Sequence, residues 1–305
     1  MENQTFEFEK QRDFGSVVGD SLFFFTRNFK SFLFGFLLYI GPFFLIGAFG
    51  MIYAGMVFPD MFDPQFSGTG VFLGLLVFIP FIVFASIMMV AFVCAMVQKY
   101  QRQPIGPLAE GIWPDVRRNL LPTFVVFLAF FVILVIPFVL IGILAFLAGG
   151  EIAVVILMLL SIPFIIYLSI PMTMLLAVHV LEKNSIGASL KRAFYLVREK
   201  WWVTFGIYIV ISILASIASY IFMLPAYIVF MAKTLGSVGT GEISPEFGLW
   251  FGIMYACGFL GSLFTGMYQV LGMILQYYSL REQKEGAGLL KRIQNIGQPH
   301  DEALG

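Results

Sequence analysis

The sequence predicts an all-α fold: a polytopic membrane bundle of six transmembrane helices, arranged as three parallel repeats of a cytoplasmic amphipathic helix and a transmembrane hairpin. Three observations predict it. Six long stretches carry no Asp, Glu, Lys or Arg, at 31–59, 64–98, 119–150, 152–181, 201–232 and 247–280. All but Lys233 of the 18 Lys and Arg residues fall in segments that would face one side of a membrane. The segments between these runs repeat one another.

Each charge-free run exceeds the roughly 20 residues that cross about 30 Å of hydrocarbon as a helix. Lipid offers no partner for an unpaired backbone group, so continuous apolar runs are read as helices. Composition agrees. The chain is 60% hydrophobic and 12% charged, with mean hydropathy +0.92, where soluble domains carry about 25% charged residues. The first thirty residues are polar and mixed in charge, which is unlike a signal peptide.

Orientation follows from the loops in order. The N-terminal segment carries Lys10, Arg12, Arg27 and Lys30, and loop 58–69 carries only Asp60 and Asp63. Loop 99–118 holds Lys99, Arg102, Arg117 and Arg118, and the turn near 148–152 holds only Glu151. Loop 182–200 holds Lys183, Lys191, Arg192, Arg198 and Lys200; loop 233–246 sets Lys233 against Glu242 and Glu246. The tail holds Arg281, Lys284, Lys291 and Arg292. Bases alternate with loop parity, which is the positive-inside pattern. Both termini are therefore expected in the cytoplasm, with six spans between them.

The repeats align on Gly15, Gly106 and Gly187, each preceded by Phe14, Ile105 or Ile186. Farther on come Thr26-Arg27-Asn28, Arg117-Arg118-Asn119 and Arg198-Glu199-Lys200, and then a span. Residues 1–305 read as one membrane domain, with repeat A over 14–98, repeat B over 105–181, repeat C over 186–280 and a cytoplasmic tail over 281–305. In repeat B, Ile105, Leu108, Ala109, Ile112 and Val116 share a helical face. The matching faces are Phe14, Val17, Val18, Ser21 and Phe25, and Ile186, Ser189, Leu190, Ala193 and Val197. Such helices are expected to lie in the cytoplasmic interface, apolar side toward acyl chains and bases toward headgroups. Pro114 interrupts the middle copy and is expected to kink it.

Within the spans, Pro42, Pro137 and Pro225 mark the first helix of each hairpin. Gly258, Ser262 and Gly266 recur every four positions in the sixth span and suit close packing between helices. Trp201-Trp202 and Tyr277-Tyr278 fit interfacial anchors. The candidate interfacial or partner contacts are Arg27, Arg117, Arg118, Arg198, Lys200, Trp201, Trp202, Tyr277, Tyr278 and Arg281.

The chemistry expected of the chain is narrow. No Asp, Glu, Lys or Arg lies inside a span, whereas proton relays and ion pathways usually need one. Two His and two scattered Cys do not make a metal site of the usual spacing. There is no phosphate loop and no nucleophile elbow. No catalytic residue, cofactor or metal is expected.

The segment Ser185-Ile186-Gly187-Ala188-Ser189-Leu190 through Phe194-Tyr195-Leu196-Val197, followed by Trp201-Trp202 and Phe205-Gly206, resembles the repeated motif of a bacterial group. That group is the glycerophosphodiester phosphodiesterase membrane-domain proteins. Tyr277-Tyr278-Ser279-Leu280-Arg281 and Glu285-Gly286 are similar to its closing pattern. The resemblance spans roughly residues 14–290 and looks most like stand-alone, Bacteroidota-type members of uncharacterised role. It implies a membrane module without the catalytic barrel, serving as an anchor or partner subunit.

The leading expectation is a non-enzymatic accessory or scaffold subunit of a membrane complex, with protein export or insertion as a possible setting. Its partners would be membrane lipids and another membrane protein, not nucleic acid. The alternative is a transporter or lipid-handling protein with a pathway along the pseudo-threefold axis.

Overall fold

A computed structural model describes residues 6–57, 69–104, 108–147, 151–238 and 246–286. Among them the regular structure is entirely helical, and six helices are long and apolar enough to cross a membrane. Chain order is α1 (Phe14–Arg27), α2 (Phe29–Gly35), α3 (Gly41–Val57), α4 (Thr69–Arg102), α5 (Trp113–Phe130), α6 (Ile136–Leu147), α7 (Glu151–Glu182), α8 (Ile186–Val197), α9 (Trp201–Val238) and α10 (Phe247–Glu285).

Two first spans are broken by π turns, Phe36–Ile40 between α2 and α3 and Phe131–Val135 between α5 and α6. Each begins six residues before a proline, Pro42 or Pro137. Proline has no N–H and its ring clashes with the carbonyl four residues back, so a widened turn before it relieves the clash. The backbone N–H groups of Gly41 and Ile136 accordingly donate five residues back, to Phe36 and Phe131. Pro225 lies inside α9 with no π turn before it.

The helices pair as α3 with α4, α9 with α10, and α6 with α7, and α5 lies along α4. Helix α10 is the hub, touching α1, α3, α4, α7, α8 and α9. The core sits toward one end. In α4, every residue from Ile87 to Val97 is buried, whereas most of Thr69–Phe84 is not. In α10 the same holds for Leu263–Tyr268 and Leu271–Leu280. This is the end that carries α1, α8 and the start of α5.

At the other end, glycines bring backbones together. A Cβ on Gly55 would meet Gly252 Cα at 2.7 Å, and one on Gly252 would meet Ile52 Cα at 2.7 Å. Between α3 and α4, a Cβ on Gly50 would meet the Gly74 carbonyl at 2.7 Å. Small residues permit this approach where no water drives helices together. The Gly258, Ser262, Gly266 stripe is not a single contact. Gly258 faces Met223 of α9, Gly266 faces Met89 of α4, and Ser262 is exposed with its hydroxyl turned back to the Gly258 carbonyl. The close contact with α9 uses Gly261 against the Ser219 carbonyl.

The expected amphipathic helices differ from the sequence reading in two ways. In the middle copy, residues 108–111 form a turn, Gly111 has φ +61°, and the helix starts only at Trp113. Pro114 occupies its first turn, where a missing N–H costs nothing, so it opens α5 instead of kinking a separate helix. Ile105 and Gly106 lie outside the described residues. Secondly, the apolar faces of α1 and α8 point into the protein. Val17, Ser21, Phe24 and Phe25 of α1 are buried with α10 alongside, and Ser189, Ala193, Leu196 and Val197 of α8 are buried with α7 alongside. Residues 287–305 of the predicted tail also lie outside the described residues.

Gly252→Ala should force α3 and α10 apart and lower stability by about 1–3 kcal/mol. Gly142→Ala, whose Cβ would meet nothing within 4 Å, should be neutral or stabilising. Thermal unfolding of the two variants in detergent checks this; equal melting temperatures would show that the close approach does not hold.

Candidate functional site

The last turns of α10 carry the site. Successive residues on a helix are about 100° apart, so four in a row point around the whole circumference. Gln276, Tyr277, Tyr278 and Ser279 are all buried, which means that protein surrounds α10 here. Gln276 donates its amide to Thr204 Oγ1 of α9 at 3.0 Å. The Tyr277 hydroxyl donates to Glu182 Oε1 of α7 at 2.6 Å. Tyr278 accepts from the Gln101 amide of α4 at 3.0 Å. Ser279 Oγ accepts from the Arg12 N–H and donates to the Arg12 carbonyl, both at 3.0 Å.

Among the described residues Arg12 is the most deeply buried cation, its side chain 1% exposed. Its Nε donates to Asp20 Oδ2 of α1 at 2.8 Å. The other guanidinium nitrogens donate to the carbonyls of Phe8 at 2.8 Å, Lys10 at 3.2 Å and Glu7. The residues before α1 are therefore wrapped around one guanidinium. Asp13 then caps α1 by accepting from Ser16 N–H at 2.7 Å. Hydrogen bonds from the Ser16 hydroxyl and then from its N–H hold the Asp13 carboxyl below its ordinary pKa.

A second knot joins α7, α8 and α10. Lys183 sits in the left-handed region at φ 56° and turns the chain directly from α7 toward α8. This brings Arg192 between Glu182 and Glu285, with the Glu285 contact at 2.8 Å. Burial pulls the Arg192 pKa down, but hydrogen bonds and charge from Glu285 and Glu182 outweigh it and hold the guanidinium above its usual value. Arg281 reaches Glu285 at 3.5 Å and Glu9 at 3.9 Å. Lys284 donates to the Tyr195 carbonyl at 2.6 Å and lies 4.3 Å from the centre of that ring. A third group links α4 and α5: Arg102 and Arg118 both bind Asp115 Oδ1, at 3.2 and 2.8 Å, and buried Asn119 donates to Gln98 at 3.2 Å.

The predicted contacts divide. Arg27, Arg117, Arg118, Arg198 and Lys200 are exposed, and Trp202 is 77% exposed. Trp201 instead bridges helices: its Nε1 donates to the Tyr167 carbonyl at 3.1 Å, and its ring stacks on Tyr167 and Phe205. Tyr277 and Tyr278 are not interfacial anchors, because they lie on faces of α10 covered by α7 and α4. Sequence reasoning missed Arg12, Asp20, Glu182 and Arg192 as members of the ring.

Each polar group of the ring is engaged by another, which suits holding segments together more than chemistry. Glu182 alone is engaged by Arg192, Tyr277 and Asn184. His179 Nδ1 lies 3.2 Å from Ser189 Oγ, but Ser189 is fully buried and leaves no room for a substrate. Among the described residues, no three His, Cys, Asp or Glu cluster as a metal site would need. The chain matches no family model, no curated protein and no solved structure.

Arg12→Met removes the cation and its hydrogen bonds to Asp20 and to the carbonyls of Glu7, Phe8 and Lys10. Asp20 is 36% exposed and stays solvated, so a cost of about 1–3 kcal/mol is expected. Limited proteolysis in detergent should then cut within 6–13 much faster than in the unaltered protein. Unchanged cleavage would show that Arg12 does not hold this segment.

Proposed function

We propose that the protein is a non-enzymatic accessory or scaffold subunit of a bacterial inner-membrane complex, with both termini cytoplasmic. The observation that carries this reading is the paired polar ring at the basic end. It joins α1, α4, α7, α8, α9 and α10 into one platform, and it leaves Arg117, Arg198 and Lys200 exposed around the rim. Charges that the protein needs for itself are consumed inside, so the rim charges are left for headgroups or an acidic partner. The packing of Met88, Phe92, Met96, Leu271 and Ile274 supports this reading over a pathway along the axis, since these side chains fill the space between α4 and α10.

The repeat organisation belongs to the same proposal. Two features support it: the π turns at one spacing from Pro42 and Pro137, and side-chain caps two residues before Gly15 and Gly187, from Asp13 and Ser185. The middle copy has Pro104 at the cap position, and residues 105–107 after it lie outside the described residues. The resemblance to the phosphodiesterase membrane-domain group fits a module of this kind.

Purification from native membranes in gentle detergent should recover a stoichiometric protein partner. Changing Arg117, Arg118, Arg198 and Lys200 together to Glu should release it. A partner-free protein, or a partner indifferent to the four changes, would count against the reading. A reporter fused after Gly305 should read out as cytoplasmic; an external signal would reverse the orientation.

A further inference from the structure

Helices α7 and α9 barely touch. Trp201 crosses between them, and elsewhere they diverge over α10. The divergence leaves a cleft of about 170 Å³ lined by Thr173, Leu176 and Ala177 of α7, Tyr208 of α9, and Gln269 and Met273 of α10, among others. All its walls belong to apolar spans, and it opens sideways from the bundle.

Thr173, Tyr208 and Gln269 are the polar side chains of this otherwise apolar wall. Thr173 turns its hydroxyl back to the Ile170 carbonyl and is satisfied. Gln269 is different. Its amide makes no hydrogen bond to a described residue, although Gln276, two turns on, is paired with Thr204. A carboxamide in hydrocarbon without a partner costs several kcal/mol. Ser212, one turn beyond Tyr208 on α9, has a buried hydroxyl that also lacks a partner among the described residues. Ser212 does not line the cleft, so Gln269 is the polar group its wall presents.

We propose that this cleft binds one hydrocarbon tail of a membrane amphiphile, with a hydroxyl or carbonyl oxygen of the tail accepting a hydrogen bond from Gln269. The size decides how much of the ligand enters. Sites for whole small molecules run to about 300 Å³ and above, so this cleft takes a segment of chain, and the remainder lies in the bilayer. Entry is from the side. Gln269 lies twelve residues before Arg281, about 18 Å along the helix, so the ligand's oxygen sits well inside the charged ring. The site goes beyond the subunit reading and stands or falls separately from it.

The test uses full-length protein in vesicles of phosphatidylethanolamine and phosphatidylglycerol, with two diazirine-bearing probes. One is a fatty acid bearing a mid-chain hydroxyl, the other a phospholipid carrying the same hydroxylated acyl chain. Crosslinks from at least one probe should concentrate on peptides containing Leu176, Tyr208 and Val270. Labelling by the fatty acid alone identifies a single-tailed ligand, and labelling by the phospholipid identifies a bilayer lipid; both support the site. Val270→Trp should fill the cleft and abolish this labelling. Gln269→Leu, of nearly the same shape, should reduce it by about fivefold, the worth of one hydrogen bond. It also decides the matter if the Trp variant fails to fold. Labelling spread evenly over exposed positions such as Phe49, Phe146 and Ile221, or unchanged in Gln269→Leu, would overturn the proposal.

Discussion

The structure depends on the enclosure of the end of α10. Once Gln276 through Ser279 are surrounded, none of their polar atoms can reach water, and each must find its partner in the protein. The partners come from four different segments: α9, α7, α4 and the residues before α1. Removing any of these segments would leave a buried donor or acceptor unpaired. The enclosure thus fixes which helices assemble there, and the ion pairs of Arg192 and Arg281 follow from the same convergence.

The two ends of the bundle use different physics. At the basic end, large side chains and directional polar pairs set the spacing. Phe24 stacks edge-on with Tyr100 and Phe8, and Phe8 in turn meets the Tyr278 ring. At the other end, α3 meets α10 through Gly55, Gly248 and Gly252, where the closeness of backbones replaces side-chain contacts. Such contacts need no partner of matching chemistry. They stabilise through dispersion and fix little about which neighbour must be present.

Much of this was legible in the sequence and some could not be. The six spans follow from the charge-free runs, because the cost of an ion in hydrocarbon is large and local. The helical faces of α1 and α8 were also legible, since Val17, Ser21 and Phe25 keep helical spacing. What covers those faces was not, because an apolar stripe suits acyl chains and protein equally. The same ambiguity misplaced Tyr277 and Tyr278: an aromatic pair beside a charge looks the same at an interface as inside a protein. The ring was illegible for a further reason. Its pairs join Arg12 to Ser279 and Gln101 to Tyr278, separations over which no local periodicity carries information. One signal was available. Gln276 and Ser279 are polar residues in the last turns of a long apolar span, and they need partners within the protein.

The strength of the ring and the weakness of the α7–α9 contact bear on each other. Across the cleft, α9 is held to α7 by Trp201, through one hydrogen bond and its stacking on Tyr167. Such a contact is worth about 1–2 kcal/mol. At the ring, α7 and α9 are both anchored to α10 itself, through Tyr277 and Gln276. Separating the two helices over the cleft therefore breaks Trp201 from Tyr167 and leaves those anchors in place. A platform held at one end, with a weakly joined side wall, would admit the proposed tail without disturbing the surface a partner would bind. The same division lets the rim charges and the Gln269 cleft be altered independently.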